Sequence, residues 1–213
     1  MSRQYCPKCM KAMSTCICQW LQVQSNQMPV LILQHSDEVK KTLGTARLVE
    51  LGLTKAKVVS GTAFKRADCF DVLGSYQASQ PILLYAHQMP ESPFHIELDS
   101  DATFTKVSEL STCFDSIIVL DGTWRNTREL LHLNAWFQTL PTIALKNVGV
   151  SQYRIRKASK ADALATIEAI SVLLSIFDEQ FDSNVFLRPF EKMIDAQIDK
   201  MGEALYQQNY QTE

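Results

Sequence analysis

Short runs of aliphatic residues, separated by longer segments of mixed polarity, constrain the fold of this chain more than any other feature. The runs are five to seven residues long, a length typical of buried strands, and they lie at 29–35, 57–61, 81–86, 116–122 and 141–145. The segments between and after them predict helices over 37–51, 64–76, 124–133, 162–179 and 188–206. Strands that alternate with helices predict an α/β fold with a mostly parallel sheet flanked by helices. Ligands bind such sheets beyond the carboxyl ends of the strands.

The chain divides by composition into a short N-terminal segment and one larger domain. Residues 1–26 are polar, lack periodicity and contain four of the six cysteines, and residues 26–28 predict a short linker. Residues 27–213 form the larger domain, which ends in a C-terminal helix. Within it, 87–112 contains two prolines and predicts a surface excursion with a short helix near 107–113.

Length and charge exclude several classes of protein. A chain of 213 residues is long enough to bury a sizeable core without disulfides. Its net charge is −2, whereas proteins that coat nucleic acid without specificity are strongly basic. No apolar run reaches the ~18 residues of a membrane span, and no signal-peptide pattern follows the first charges. We therefore expect a cytoplasmic protein with no membrane partner, whose thiols stay reduced.

The N-terminal cysteines have the spacing of a metal site. They form a C-x2-C-x6-C-x-C pattern made by Cys6, Cys9, Cys16 and Cys18. Four thiolates in a reducing compartment suit tetrahedral zinc, and four protein ligands leave no open position, so the zinc would be structural. Free reduced thiols or a redox pair are the alternatives. The remaining two cysteines, Cys69 and Cys113, are expected to be small core residues.

The strongest strand pattern is followed directly by polar and aromatic residues. Asp121 and Gly122 come at the strand end, where a carboxylate can face a pocket and a glycine permits close backbone approach. Thr123 can cap the next helix, and Trp124 offers an aromatic face to a base or a cation. The alternative is that Asp121 and Thr123 only cap the helix while Trp124 packs in the core. Thr123 is also expected to contact a ligand, as are Tyr85, Leu120 and His35 at strand ends. For His35 a structural role is the alternative.

One stretch concentrates positive charge and contains no acidic residue. It includes Lys146, Arg154, Arg156, Lys157 and Lys160, and Arg125 and Arg128 on the helix after Asp121 could extend it. Clustered cations of this kind are typical of contacts to an RNA backbone. A solvated, charged loop is the alternative.

Several short motifs in one order resemble the DTW-domain family. They are the cysteine pattern, His35-x-x-Glu38 followed by T-A-R-L at 45–48, Asp121-x-T-W, Y-R-I-R at 153–156 and T-I-E-A at 166–169. Each motif is weak alone, but the ordered set is specific and spans nearly the whole chain. The resemblance implies a SPOUT-like catalytic domain over 27–213 whose C-terminal part is a trefoil knot. It also implies that Thr166 lies near the donor pocket.

The implied activity is transfer of the 3-amino-3-carboxypropyl group of S-adenosylmethionine to N3 of a tRNA uridine, which releases methylthioadenosine. In this interpretation Asp121 is a base for the uridine imide, and Trp124 stacks on the target base or lies against the sulfonium. The bacterial relatives that the chain resembles act in the tRNA variable loop. Two alternatives remain, a methyltransferase on the same fold and a non-catalytic, zinc-containing RNA-binding factor. The sequence leaves the oligomeric state open.

Overall fold

Six parallel strands form one sheet in this computed structural model, which describes residues 4–41, 43–99, 113–155 and 164–210. The sheet order is β2-β1-β5-β3-β6-β4, and every pair of neighbouring strands runs parallel. The strands are β1 (Val30–His35), β2 (Ala56–Gly61), β3 (Pro81–Leu84), β4 (His95–Asp99), β5 (Ser116–Asp121) and β6 (Thr142–Lys146). This confirms the α/β fold with a mostly parallel sheet.

Helices cover both faces of the sheet, as aliphatic runs buried on both sides require. They are α1 (Ala46–Gly52), α2 (Arg66–Gly74), α3 (Trp124–Leu133), α4 (Thr166–Phe177), α5 (Ser183–Met201) and α6 (Glu203–Tyr210). The α1, α4 and α5 helices pack on one face with Ile32, Ile117 and Val119, and we call it the first face. The α2 and α3 helices pack on the second face with Leu33 and Ile118. Successive residues of one strand, such as Ile32 and Leu33, therefore point to opposite faces.

The strand β4 was missed because it does not have a continuous aliphatic run. Its sequence alternates charged and apolar residues, and only Leu98 is fully buried. It lies at one edge of the sheet and pairs with β6 alone among the described strands, so one side of its backbone needs no partner strand. Polar alternation of this kind is tolerated at edges. The helix predicted near 107–113 falls almost entirely outside the described residues.

Two predicted helices begin or end elsewhere in the structure. The helix predicted over 37–51 begins only at Ala46, because a 3-10 turn over Ser36–Glu38 follows β1 and the His35 ring accepts a hydrogen bond from the Asp37 amide. The last predicted helix is two helices, α5 and α6. They are separated by Gly202, which has a φ of 81°, a conformation that glycine adopts readily.

The N-terminal segment packs on the larger domain and is not joined to it by a linker. Asn26 is fully buried, and its side chain hydrogen-bonds the backbone of Met28 and Lys55. Cys6, Cys9 and Ile17 belong to the same hydrophobic cluster as the first face of the sheet. The prediction of a linker at 26–28 was wrong, because this segment contributes buried polar contacts that fix its position.

Two further expectations concern topology and membranes. In the part of the chain that the structure describes, no helix has the length and apolar character needed to cross a membrane. Residues 100–112 and 156–163 lie outside the described residues, and the trefoil knot stays a prediction.

Candidate functional site

A cleft opens at the carboxyl ends of β3, β5 and β6, which are neighbours in the sheet. We call it the strand-end cleft, and its volume is about 240 Å³. Four predicted ligand residues, Tyr85, Leu120, Gly122 and Thr166, line it together with Trp124. Its walls are largely aliphatic, from Leu84, Val119 and Leu145, and the first turns of α3 and α4 close its sides. Apolar walls with a few convergent polar groups are typical of small-molecule sites.

A second cavity of similar volume, about 270 Å³, adjoins this cleft and contains Asp121. The two cavities share Gly122 and Thr166, and the chamber is also lined by Lys41, Tyr153 and Glu38. We call it the Asp121 chamber. The arrangement places the predicted catalytic carboxylate beside the cleft, with Thr166 at the boundary between them.

A row of hydrogen-bonded polar side chains fixes Asp121. Ser60, Gln34 and Asp121 are register partners on β2, β1 and β5, and all three point to the first face of the sheet. The Ser60 hydroxyl donates to Gln34 Oε1 at 3.2 Å, and Gln34 Nε2 donates to Asp121 Oδ2 at 2.9 Å. The Thr166 hydroxyl donates to Asp121 Oδ1 at 2.5 Å. Asp121 is only 8% exposed, so these bonds to both oxygens satisfy a buried carboxylate and fix its orientation.

The turn after Asp121 depends on glycine. A Cβ at Gly122 would lie 2.9 Å from Asn126 Cβ, closer than side chains approach, so only glycine lets the first turn of α3 pack against the strand end. Thr123 caps α3, and its hydroxyl accepts from the Asn126 amide at 3.2 Å, as predicted. Trp124 is 46% exposed and lines the cleft, which excludes the alternative that it packs in the core.

His35 lies outside both cavities, although it was expected to contact a ligand. It follows Gln34 on β1 and therefore points to the second face, under α3, where it is 3% exposed. Its Nδ1 accepts from the Asp37 amide, and its Nε2 lies 3.6 Å from a Glu129 carboxylate oxygen. The other motif residue, Glu38, accepts hydrogen bonds from Asn126 at 3.1 Å and from Lys41 at 2.6 Å. Glu38 therefore ties the turn after β1 to α3.

The carboxylate of Glu168 joins a loop to the start of α4. It accepts from the Ala165 amide at 2.7 Å, the Ser151 hydroxyl at 2.6 Å and the Gln152 amide at 2.6 Å. Arg154 pairs with Asp195 at 2.5 Å and not with Glu168. Glu168 thus joins Ser151 and Gln152, next to the chamber residue Tyr153, to the start of α4.

Positive charges lie on more than one part of the surface. Arg125 and Arg128 are exposed on α3, beside Trp124. Burial raises the pKa of Tyr85 above its usual value of 10, and the nearby Arg128 opposes that rise, so the Tyr85 hydroxyl stays protonated at neutral pH. Lys146 pairs with Glu97 at 3.1 Å. The expected RNA contacts Arg156, Lys157 and Lys160 lie outside the described residues.

The four N-terminal cysteines converge on a single point. Their Sγ atoms all lie within 4.8 Å of one another; Cys6 and Cys18 are 3.6 Å apart, and Cys9 and Cys16 are 3.8 Å apart. A tetrahedron of sulfurs about 2.3 Å from a zinc ion has edges of about 3.8 Å, so the cluster fits a metal of this kind. The amides of Cys9 and Lys8 point at the Cys6 sulfur and lower its pKa to about 6, which favours the thiolate that a metal requires.

The two remaining cysteines, Cys69 and Cys113, differ in their burial. Cys69 is 3% exposed, as predicted, and burial raises its pKa to about 11. Cys113 is exposed, so the expectation that it is a core residue was wrong. It precedes Phe114, which is the residue that enters the core.

The sequence analysis did not predict the hydrogen bonds of Gln34 and Ser60 that lead to Asp121, or the three hydrogen bonds that Glu168 accepts. Gln34 could have been found, because a polar residue two positions after Ile32 must share its face, and that face also receives Asp121. The partners of Glu168 follow from the tertiary course of the 151–153 loop, for which the sequence carries no signal.

Comparison with known proteins identifies the family of this chain. The model of the DTW domain matches residues 3–198. The chain is 26% identical over 201 residues to tRNA-uridine aminocarboxypropyltransferase 2 of Macaca fascicularis, and 26% identical over 208 residues to the protein of that name from Drosophila melanogaster. Each alignment covers 92% of this chain, and the chain spans 64% of the macaque protein and 76% of the fly protein. No solved structure matches significantly. Since the match covers most of the chain, the protein belongs to the DTW-domain family.

Proposed function

We propose that this protein modifies tRNA by transferring the 3-amino-3-carboxypropyl group of S-adenosylmethionine to N3 of a uridine. The observation that carries the proposal is the buried carboxylate of Asp121, fixed by Gln34 and Thr166 beside a strand-end cleft that Trp124 lines. Relatives named tRNA-uridine aminocarboxypropyltransferase 2 support the same reaction and the same substrate. From the family resemblance we further propose a SPOUT-like knotted domain and a target in the tRNA variable loop.

The reaction forms one bond and breaks one. Uridine N3 attacks the carbon of the aminocarboxypropyl group that is bonded to the sulfonium, and the C–S electron pair returns to sulfur. Methylthioadenosine leaves as a neutral thioether, and the N3 proton must pass to an acceptor. Attack at the methyl carbon would give S-adenosylhomocysteine instead, so the orientation of the donor in the cleft decides the product.

Asp121 is the proposed acceptor for the N3 proton. Gln34 and Thr166 each occupy one lone pair of its carboxylate, and each oxygen retains another that can accept from the uridine. Because both donors hold the carboxylate, it needs no reorganisation when the base arrives. Thr166 also lines the cleft, so it connects the position of the donor to the position of Asp121.

The cleft offers separate surfaces for the two substrates. Its aliphatic walls suit the adenosine portion of S-adenosylmethionine. The half-exposed Trp124 ring presents a face for the target uracil or for the sulfonium, by stacking or by a cation–π contact. Arg125 and Arg128 are exposed one turn apart on α3 and would contact RNA phosphates near that ring.

We also propose that the four-cysteine cluster holds a structural zinc ion. Cys6, Cys9, Cys16 and Cys18 would provide all four ligands, so the ion would contribute folding stability and take no part in the transfer. The packing of Cys6, Cys9 and Ile17 on the first face means that metal binding would also support the sheet.

The by-product of the reaction tests this function. The purified protein is incubated with S-adenosylmethionine and an unmodified tRNA transcript, and the small molecules are identified by mass spectrometry. We expect methylthioadenosine to form only when tRNA is present. S-adenosylhomocysteine would replace the proposal with methyl transfer, and neither product across several tRNAs would favour a non-catalytic RNA-binding role.

A further inference from the structure

We call the N-terminal segment, residues 1–26, the knuckle. A groove lies between the knuckle and the larger domain and leads to the candidate site. Its volume is about 670 Å³, and we call it the knuckle groove. Knuckle residues Tyr5 and Met10 form one wall, and α1 with the exposed edge of β2 forms the other. Gln34 and Ser60 lie in its lining, so Gln34, which donates to Asp121 at 2.9 Å, connects the groove to the active carboxylate. The groove also shares Glu38, Lys41 and Gly44 with the Asp121 chamber.

The groove is positively charged on a chain that is negative overall. Five cationic side chains line it and only two acidic ones, whereas the net charge of the chain is −2. The cations are Lys11, Lys40, Lys41, Arg47 and Lys57. Glu50 engages Arg47 and Lys57, and Glu38 engages Lys41, which fixes these cations along the groove. Lys40 is exposed.

An exposed aromatic ring accompanies these charges. Tyr5 is 50% exposed, although a backbone bridge to Ala12 holds it in the knuckle. A positive groove with an aromatic platform is the combination by which proteins bind single-stranded nucleic acid. Uridine N3 lies on the Watson–Crick edge, so the target base must be unpaired when it reacts.

We propose that the knuckle groove binds the single-stranded RNA segment that carries the target uridine and leads it to Asp121. This proposal rests on the proposed function and extends it, since the basic surface predicted from the sequence lies on α3 and around 146–160. Lys40 and Lys57 contact phosphates, and Tyr5 stacks on a base next to the target. The knuckle is therefore part of the RNA-binding surface as well as a structural element.

The test compares two pairs of charge-removing substitutions in the full-length, metal-loaded protein. Lys40→Gln with Lys57→Gln removes two charges from the groove. Lys65→Gln with Arg66→Gln removes two charges at the start of α2, which packs on the opposite face of the sheet. Dissociation constants for a tRNA transcript are measured by anisotropy between about 50 and 200 mM salt. Thermal melting and S-adenosylmethionine affinity show whether each variant stays folded and keeps its donor site.

The groove variant should bind tRNA roughly tenfold or more weakly at about 100 mM salt, and its log–log salt slope should fall by about two. The α2 variant should match the wild type, and both should keep donor affinity. If the groove variant and the wild type have equal tRNA affinity and equal salt slope, the groove does not bind the RNA. The proposed transfer reaction would be unaffected by that result. A wild-type protein that neither binds tRNA nor forms methylthioadenosine would overturn both.

A substitution of the aromatic platform gives a second, independent readout. Tyr5→Ala should weaken tRNA binding about fivefold or more without changing the salt slope, because stacking releases no counterions. If Tyr5→Ala binds tRNA as the wild type does, the groove does not hold a stacked RNA strand.

Discussion

Replacing Glu168 by glutamine should both destabilise the protein and release a loop from the candidate site. The carboxylate accepts three hydrogen bonds of 2.6–2.7 Å and is 5% exposed. Two of the donors are the backbone amides of Gln152 and Ala165, which lie on different carboxylate oxygens. A glutamine can accept from only one of them, so its NH2 group faces the other amide, donor against donor.

The expected loss of stability follows from the number of hydrogen bonds that glutamine cannot accept. One charge-assisted bond worth about 1.5–3 kcal/mol is lost and the remaining bonds become neutral, so we expect the free energy of unfolding to fall by about 2–4 kcal/mol. For a chain of this size that corresponds to a decrease in melting temperature of roughly 5–15 °C.

Urea unfolding and calorimetry of Glu168→Gln measure this change, with Glu179→Gln as the matched control. Glu179 is an exposed acid just beyond the end of α4, and its substitution should change stability by less than about 0.5 kcal/mol. Proteolysis between Lys146 and Thr166 should also be faster in Glu168→Gln, because Ser151 and Gln152 lose bonds to the Glu168 carboxylate. If Glu168→Gln is as stable as the control, the three hydrogen bonds to Glu168 do not stabilise the protein as proposed.

Three further predictions concern the turn after β5, the two cysteines outside the four-cysteine cluster and the metal. Gly122→Ala should lower the free energy of unfolding by about 1–3 kcal/mol and also reduce donor affinity, because the new Cβ displaces Asn126 and the first turn of α3. An unchanged melting temperature and donor affinity would contradict the close approach of Gly122 to Asn126. Iodoacetamide at about pH 8 should label the exposed Cys113 far faster than Cys69, because the Cys69 pKa of about 11 leaves little thiolate. Mass spectrometry of the peptides measures the labelling of each cysteine, and equal labelling would show that Cys69 is accessible. Purified protein should contain one zinc ion per chain, and a chelator should lower the melting temperature; a metal-free protein with the same melting temperature would contradict the structural role.

Local sequence pattern was sufficient to predict five strands, the residues at the strand ends and the convergence of the four cysteines. Aliphatic runs located five strands, and the strand-end rule placed Asp121, Trp124 and Tyr85 at one edge of the sheet. The spacing of the cysteines predicted their convergence, because ligands close in the chain need little tertiary information to meet.

What the sequence did not predict depends on the three-dimensional environment. The strand β4 is stabilised by its pairing with β6 rather than by its own composition. His35 and Gln34 are adjacent polar residues, and only the direction of the pleat decides that Gln34 reaches Asp121 while His35 points under α3. The knuckle groove exists because the N-terminal segment packs on α1 and β2, whereas composition alone suggested a separate, linked unit.

The central claim is that Asp121, held by Gln34 and Thr166, accepts the proton of the attacking uridine. The direct test is the single-turnover rate of methylthioadenosine release by Asp121→Asn, with tRNA and S-adenosylmethionine saturating and the affinity for each measured separately. Asparagine keeps the shape of the side chain but removes the base, so we predict a rate lower by about 10²–10⁴-fold with both affinities within about threefold of wild type. Full turnover by Asp121→Asn would contradict the claim.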